Sequence, residues 1–581
     1  MAVSGCHARH QNRCGACGFL FQVGDRIIAL VSKDSTPVTS SVPYTIHDAD
    51  TFQESSLYTQ SRAGATSYPT RCPRCTNRES AMMHIDCFRL FIQECTAKDK
   101  EIRLWQAATW RIHWTSSSST FLMDNDVSST STMRRAAELC HLPELRLLPA
   151  EVIEKIWRFS QPNAISRFAS VLDLAHAFSI AEHQGSPLSL PVGSVDAWSR
   201  GGDPVIRTSD LDKPIIRLTF DLLGLQRIEK LDERPERGNH RSDAALYIVA
   251  DAKYYSEVSV DVHHGLGHLS KLFAPQSPAK MWDTPCPPML DECELFPRPR
   301  QWIPRPRFST IQLDRCTGIT FFIHHANWHA IHGHTPAQPH AQATFERLCS
   351  WQQRHTTWVY VPLRQGITAF GVRAGKPLKI DTSFILNPCF LLRTPSDGDL
   401  VVGHYPENES EDLILGSGPK LTLIHDLGYA RHLSALYTHP KNKEDIVMSP
   451  HVPVFENPFS DKACFASAPL ENVASIQAFY EEENGYCLGF ILRYENGSER
   501  AVGQCRTGKD LVRTIVNPAC LCFFHEDHHK PVTSRTVRLE VSTSPEHQHD
   551  KPGWTCSPMC GTVETWYNHF SMQLYIVGID Q

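Results

Sequence analysis

Near the start of the chain stand three pairs of potential metal ligands, each with two residues between its members: Cys14 with Cys17, Cys72 with Cys75, and His84 with Cys87. Two thiolates separated by two residues sit on a tight turn that aims both sulfurs at one point. Zinc takes four thiolate or imidazole donors in a tetrahedron, so such pairs are expected to meet. Cys14, Cys17, His84 and Cys87 complete one site. Cys72 and Cys75 need two more donors, for which Cys6, His7, His10 and Cys95 are the candidates. With four protein donors the ion is structural and not catalytic. In a loop-rich segment with little core, its binding free energy is folding free energy. Residues 1–97 are therefore expected to form a zinc-binding module; the plainer alternative is a set of free cysteines in loops.

The pattern from Cys6 to Cys95 resembles the treble-clef and cross-brace fingers (LIM, PHD and RING modules). It departs from them in the long insertion between Cys17 and Cys72 and in having no clear fourth pair after Cys87. Those departures argue against a RING finger that recruits a ubiquitin-conjugating enzyme. Inside the module, Phe19 to Leu30 reads as a hairpin about Gly24-Asp25. Residues 33–70 read as a loop, and Met82 to Ile92 as a helix carrying the last ligand pair.

The chain has 581 residues, 41% of them hydrophobic and 21% charged, with a formal charge of −6. That length implies two to four domains, and the near-neutral balance does not draw the protein toward nucleic acid or anionic membrane. Apolar runs are too short to span a bilayer, and the opening residues carry no apolar stretch of a secretory signal. Most of the 20 cysteines stand singly in apolar segments, as buried thiols do in a reducing compartment. The expected location is cytoplasmic or nuclear.

Residues 98–140 read as a partly disordered linker, on the strength of the polar stretch Thr115 to Thr132. Within 141–190, Leu148, Val152, Ile156 and Phe159 recur at helical spacing, with Pro149 in the first turn and Pro162 as a stop. A second amphipathic segment carries Ile165, Phe168, Leu172, Ala175 and Phe178, so the two form a helical hairpin. The run Leu148-Pro149-Ala150-Glu151-Val152, followed by Ile156, resembles the opening of the F-box. That motif docks on a Skp-type adaptor in cullin ubiquitin ligases. The resemblance implies that Leu148, Pro149, Val152 and Ile156 contact the adaptor; the bland alternative is an ordinary helical connection.

From 212 to 581 short β-branched and aromatic runs alternate with Gly, Pro and Asn turns, the texture of a mainly-β region. The Pro- and Arg-rich stretch Pro285 to Arg307, which includes Trp302, reads as a solvated connection. A repeat runs through the region: strand, tight turn, return strand and glycine, from Cys316 to Gly333, Cys389 to Gly403 and Cys487 to Gly503. The Cys-to-Gly separations are 17, 14 and 16. Repeated hairpins suggest a propeller- or prism-like stack. The whole is expected to be a multidomain α+β protein. Its module order is similar to that of a group of uncharacterised filamentous-fungal F-box-like proteins.

No phosphate loop, nucleophile elbow or zinc-protease signature occurs, so no enzyme is expected. His324, His325, His329, His332 and His334 read as a polar surface face. His263, His264 and His268, like His525, His528 and His529, give no convincing site. Cys556 and Cys560 lack evident further donors and read as packing. The expected function is non-enzymatic recognition, as an F-box-type substrate receptor with protein partners. A lectin-like or small-ligand-binding β-domain with a structural zinc module is the alternative.

Overall fold

The computed structural model describes residues 13–33, 39–46, 78–110, 130–159, 163–180, 188–206, 213–235, 245–296, 307–375, 389–405, 410–426, 436–440, 446–459, 463–528 and 534–578, apart from 222, 271, 273–279, 325–326, 349, 397 and 550. The chain divides into two compact units, Met1–Pro287 and Pro288–Gln581. Both carry strands, so the mixed α+β expectation holds. The β-texture does not mark the division, because strands from Leu188 onward belong to the first unit.

The first unit opens on strand β1 (Arg26–Lys33), which pairs antiparallel with β2 (Arg78–His84) along its whole length. The expected Phe19–Leu30 hairpin does not form. Gly24 does make the turn, at φ 93°, but residues 13–20 fold into a turn of their own, and β1 pairs with Arg78–His84 and with Thr39–Ser40 and Tyr44–Thr45, short strands inside the expected 33–70 loop. Phe19 and Phe21 are drawn into the core instead of a ladder. The expected helix from Met82 starts later: β2 ends at His84 and helix α1 covers Ile85–Glu94. Its buried residues Cys87, Leu90 and Phe91 follow helical spacing.

Residues 98–140 are not simply a linker. Helix α2 (Lys100–Trp110) buries Leu104, Trp105, Ala107 and Ala108, and α3 (Thr130–Leu139) buries Met133, Ala136 and Ala137. Residues 111–129, which hold most of the polar stretch, lie outside the described residues. The helical hairpin forms as α4 (Ala150–Phe159) and α5 (Ala164–Ile180). Both share one core with the ligand-bearing segment, in which Phe91 meets Phe178 edge to face at 6.1 Å. Buried Arg103 ties α2 to α5 by donating to the Phe178 carbonyl at 2.7 Å. The expected boundary between 1–97 and 141–190 is therefore not a domain boundary. The rest of this unit is β: six strands in the order Met281–Trp282, Leu246–Asp251, Ile215–Asp221, Gly224–Leu231, Val195–Ser199, Val205–Ile206, and a smaller three-stranded sheet.

In the second unit each of the three repeats is a hairpin. They are β3 (Gly318–His324) with β4 (Asn327–His334), β7 (Cys389–Thr394) with β8 (Gly398–His404), and β11 (Cys487–Tyr494) with β12 (Glu499–Gly503). Adding β5 (Thr357–Pro362) gives a sheet ordered β4-β3-β5. With β6 (Ala369–Gly375) and β9 (Ser410–Ser417) the second repeat becomes β9-β6-β7-β8. With β10 (Val473–Tyr480) and β13 (Leu511–Val516) the third becomes β13-β10-β11-β12. Both four-stranded groups have the Greek-key order, the fourth strand lying beside the first. That is not the order of a propeller blade, and no ring of blades forms among the described residues. The hairpins instead feed one core, where Phe321, Phe390, Phe490, Leu492 and Val502 meet, with Phe321 and Phe390 stacked at 4.2 Å. Each such fully buried side chain contributes about 1.5–3 kcal/mol over its exposed state.

The Pro285–Arg307 stretch is not wholly a connection, since Glu294–Phe296 pairs with Leu436–His439 as a short strand; residues 297–306 lie outside the described residues. Among the described residues no helix is long and apolar enough to cross a membrane.

Candidate metal centre

The first turn of the described chain is a knuckle. Cys14 N–H donates to the Phe19 carbonyl and Gly18 N–H to the Cys14 carbonyl, both at 2.8 Å. Gly18 sits at φ 81°, which glycine adopts without strain. Gly15 N–H donates to the Met82 carbonyl at 2.8 Å, pinning the knuckle to β2. A side chain at Gly15 would place its Cβ 2.4 Å from that of Ala108 on α2. The register Ile27↔His84 then sets the end of β2 beside the knuckle, and one turn into α1 comes Cys87.

Cys14, Cys17, His84 and Cys87 are thereby brought together, their ligand atoms all within 4.8 Å of one another. All four are buried, none more than 2% exposed. His84 Nδ1 lies 3.6 Å from Cys17 Sγ and 3.7 Å from Cys87 Sγ. Zn–S bonds of about 2.3 Å and Zn–N bonds of about 2.0–2.1 Å in a tetrahedron put S and N roughly 3.6 Å apart, so the donors already hold the spacing an ion needs.

The surroundings fit as well. His84 Nε2–H donates to Asp25 Oδ2 at 3.1 Å, which leaves the Nδ1 lone pair facing the sulfurs. Backbone N–H groups of Cys17 and His84 point at Cys14 Sγ, at 3.5 and 3.4 Å. Burial pushes the Cys17 thiol well above its ordinary value, and hydrogen bonding with Cys14 does the same to Cys87. A bound dication reverses that balance and deprotonates the thiols. Three thiolates and a neutral imidazole about a dication carry one net negative charge. Arg167 on α5 faces it, with Nη2 3.9 Å from Cys87 Sγ and Nη1 3.9 Å from Asp25. Filled by four protein ligands, such a site holds structure and offers no open position for substrate.

Cys72, Cys75 and the candidates Cys6, His7 and His10 lie outside the described residues. Cys95 is buried in the core and belongs to no ligand cluster among them. On the helical hairpin Leu148 and Ile156 are half-buried, while Pro149 and Val152 are exposed. Among the described side chains of α4, the one driven into the core is Ile153. Phe159 lies in the helix, but its side chain is outside the described set.

The histidine-rich repeat is not a surface face: His324, His332 and His334 are buried. Thr320 Oγ1 meets His334 Nε2 at 2.7 Å, and His334 Nδ1–H donates to the Pro339 carbonyl at 2.8 Å. These rings belong to a hydrogen-bonded interior. His263 lies 3.2 Å from Gln106 Oε1, and His525 Nε2 accepts from Leu574 N–H. Neither histidine is in a ligand cluster.

A second donor cluster lies where packing was expected. Cys522, His547, His549 and Cys556 bring their ligand atoms within 4.8 Å of one another, a geometry compatible with a metal ion, while Cys560 stands apart. The sequence signal was the His547-x-His549 pair seven residues before Cys556, with Cys522 supplied from an earlier strand. Comparison with protein families, curated proteins and solved structures finds no match to this chain.

Proposed function

We propose that the chain is a non-enzymatic recognition protein whose zinc-stapled N-terminal region presents α4 to a protein partner, in the manner of an F-box docking on a Skp-type adaptor. One observation carries the reading. At the start of α4 apolar side chains face solvent, Leu147 at 83% and Val152 at 40% exposure, on either side of Pro149. Beside them a shallow apolar hollow is lined by Met133, Ala137, Leu145, Ile153, Ile156 and Ile165. Exposed apolar groups next to an apolar hollow are the makings of an interface. Leu148, Pro149, Val152 and Ile156, the residues matching the motif, line or border this face.

Because Leu147 and Val152 are exposed, Leu147→Glu with Val152→Glu leaves the core intact. Recovery of a Skp-type adaptor with the full chain should fall by tenfold or more; undiminished recovery would sink the reading. Zinc is the ion that the Cys3His donor set favours.

A lectin-like reading is favoured by a cleft in the second unit lined by Tyr360, Asp399, His451, Glu499 and Arg500. Aromatic and carboxylate groups together suit a sugar, and three hairpin sheets about one core support a prism-like form. Glycan binding that Arg500→Ala abolishes while the double variant above retains it would favour this second reading.

A further inference from the structure

The cluster near the C-terminus is built differently from the first. Strand β14 (Cys520–His528) lies between β15 (Ser534–Ser542) and β16 (Thr555–Pro558), and its register places Cys522 opposite Cys556. The chain between β15 and β16 returns over these two sulfurs and delivers two imidazoles. His547 Nε2 lies 3.0 Å from Cys522 Sγ, and His549 Nε2 lies 3.1 Å from Cys556 Sγ.

Each imidazole is held from behind. His547 Nδ1–H donates to the Ser544 carbonyl at 3.2 Å, and His549 Nδ1–H to Glu540 Oε2 at 3.0 Å. Both rings are thereby fixed in the tautomer that turns a bare Nε2 lone pair toward the sulfurs, which is how outer partners orient metal-bound histidine. His549 is further clamped flat on Trp554, centroids 4.4 Å apart and planes 8° from parallel. Four soft or borderline donors, two of them preset by outer partners, converge with no other evident purpose. Two thiolates and two neutral imidazoles around a dication sum to zero charge, so no compensating cation is required.

We propose that Cys522, His547, His549 and Cys556 bind a second structural zinc ion, which clips residues 543–549 onto the sheet edge. The sulfur-to-nitrogen separations of 3.0 and 3.1 Å open to roughly 3.6 Å around the ion. Binding releases the two thiol protons to solvent as the Cys522 and Cys556 sulfurs become ligands. Cys522 is buried but Cys556 is exposed, so a chelator reaches this ion faster than the first, whose donors are all buried.

The test uses the full chain purified under reducing conditions, with zinc measured per chain and the zinc then replaced by cobalt. The His547→Ala/His549→Ala variant should carry one equivalent less than the parent. It should also lose the cobalt absorption of a two-sulfur, two-nitrogen site while keeping that of the three-sulfur site. Equal zinc content in parent and variant overturns the proposal. So does mapping of a Cys522–Cys556 disulfide in parent protein that holds no zinc there. If the variant fails to fold, Glu540→Ala leaves all four donors in place and should weaken zinc retention against a chelator by about tenfold or more; unchanged retention overturns the proposal equally.

Discussion

At the scale of single residues, the first centre depends on one side chain outside the ligand set. Asp25 fixes the His84 tautomer through its contact with Nε2 and also faces Arg167. Asp25→Ala should lower metal affinity by about 10–100-fold, measured by competition with a chromogenic chelator. Asp25→Asn keeps an acceptor oxygen and should lose less. Equal affinities in all three proteins would show that Asp25 does not orient the ring. The ligands Cys14, Cys17, His84 and Cys87 were legible in the sequence because two-residue spacing is a local signature of converging donors. Asp25 was not, since a carboxylate two residues past a Phe-Gln-Val run looks like any turn residue until β1 and β2 pair. His547 and His549 were overlooked for a related reason. The pair stands seven residues before Cys556, but the donor that completes the set, Cys522, comes from a strand 25 residues back.

At the scale of elements, helices were easier to find than their inward faces. The Leu148, Val152, Ile156, Phe159 series is a correct helical stripe, yet among the described side chains of α4 the buried one is Ile153, one position round from exposed Val152. A stripe fixes the period of a helix, but which flank turns inward is set by the neighbours, here α3 and α5. Ile153→Ala should therefore cost about 2–4 kcal/mol in denaturant unfolding, whereas Val152→Ala should stay within about 0.5 kcal/mol. The reverse order would mean that α4 packs by its other flank. The repeated hairpins were legible because their turns announce themselves: Gly398 and Gly497 both take positive φ, at 70° and 81°. What joins β9 to β6, or β13 to β10, has no such local mark, so the Greek-key order emerged only with the strand registers. The burial of His332 and His334 was also hidden, because their partners Thr344, Gln338 and Pro339 lie in the following segment.

At the scale of the molecule, composition drew boundaries that packing erases. The polar stretch after Trp110 suggested a linker, but Trp105 and Ala108 before it and Met133 and Ala136 after it enter the same core as the ligand cysteines. Removing the ion from the first site of the full chain should accordingly loosen Ala164–Ile180 together with Ile85–Glu94, read as parallel losses of amide-exchange protection. Protection that falls in Ile85–Glu94 alone would show that the helices stand without it. Arg167 offers a path for such coupling: it lies on the helix following α4, with Nη2 3.9 Å from the Cys87 sulfur. Thermodynamic linkage then works in both directions. If, as proposed, a partner settles on α4 and steadies α5, it tightens the grip on the ion, and by the same factor loss of the ion weakens the hold on the partner. Under that proposal, the residue that balances the surplus charge of the ligand cluster is the place where metal loading and association meet.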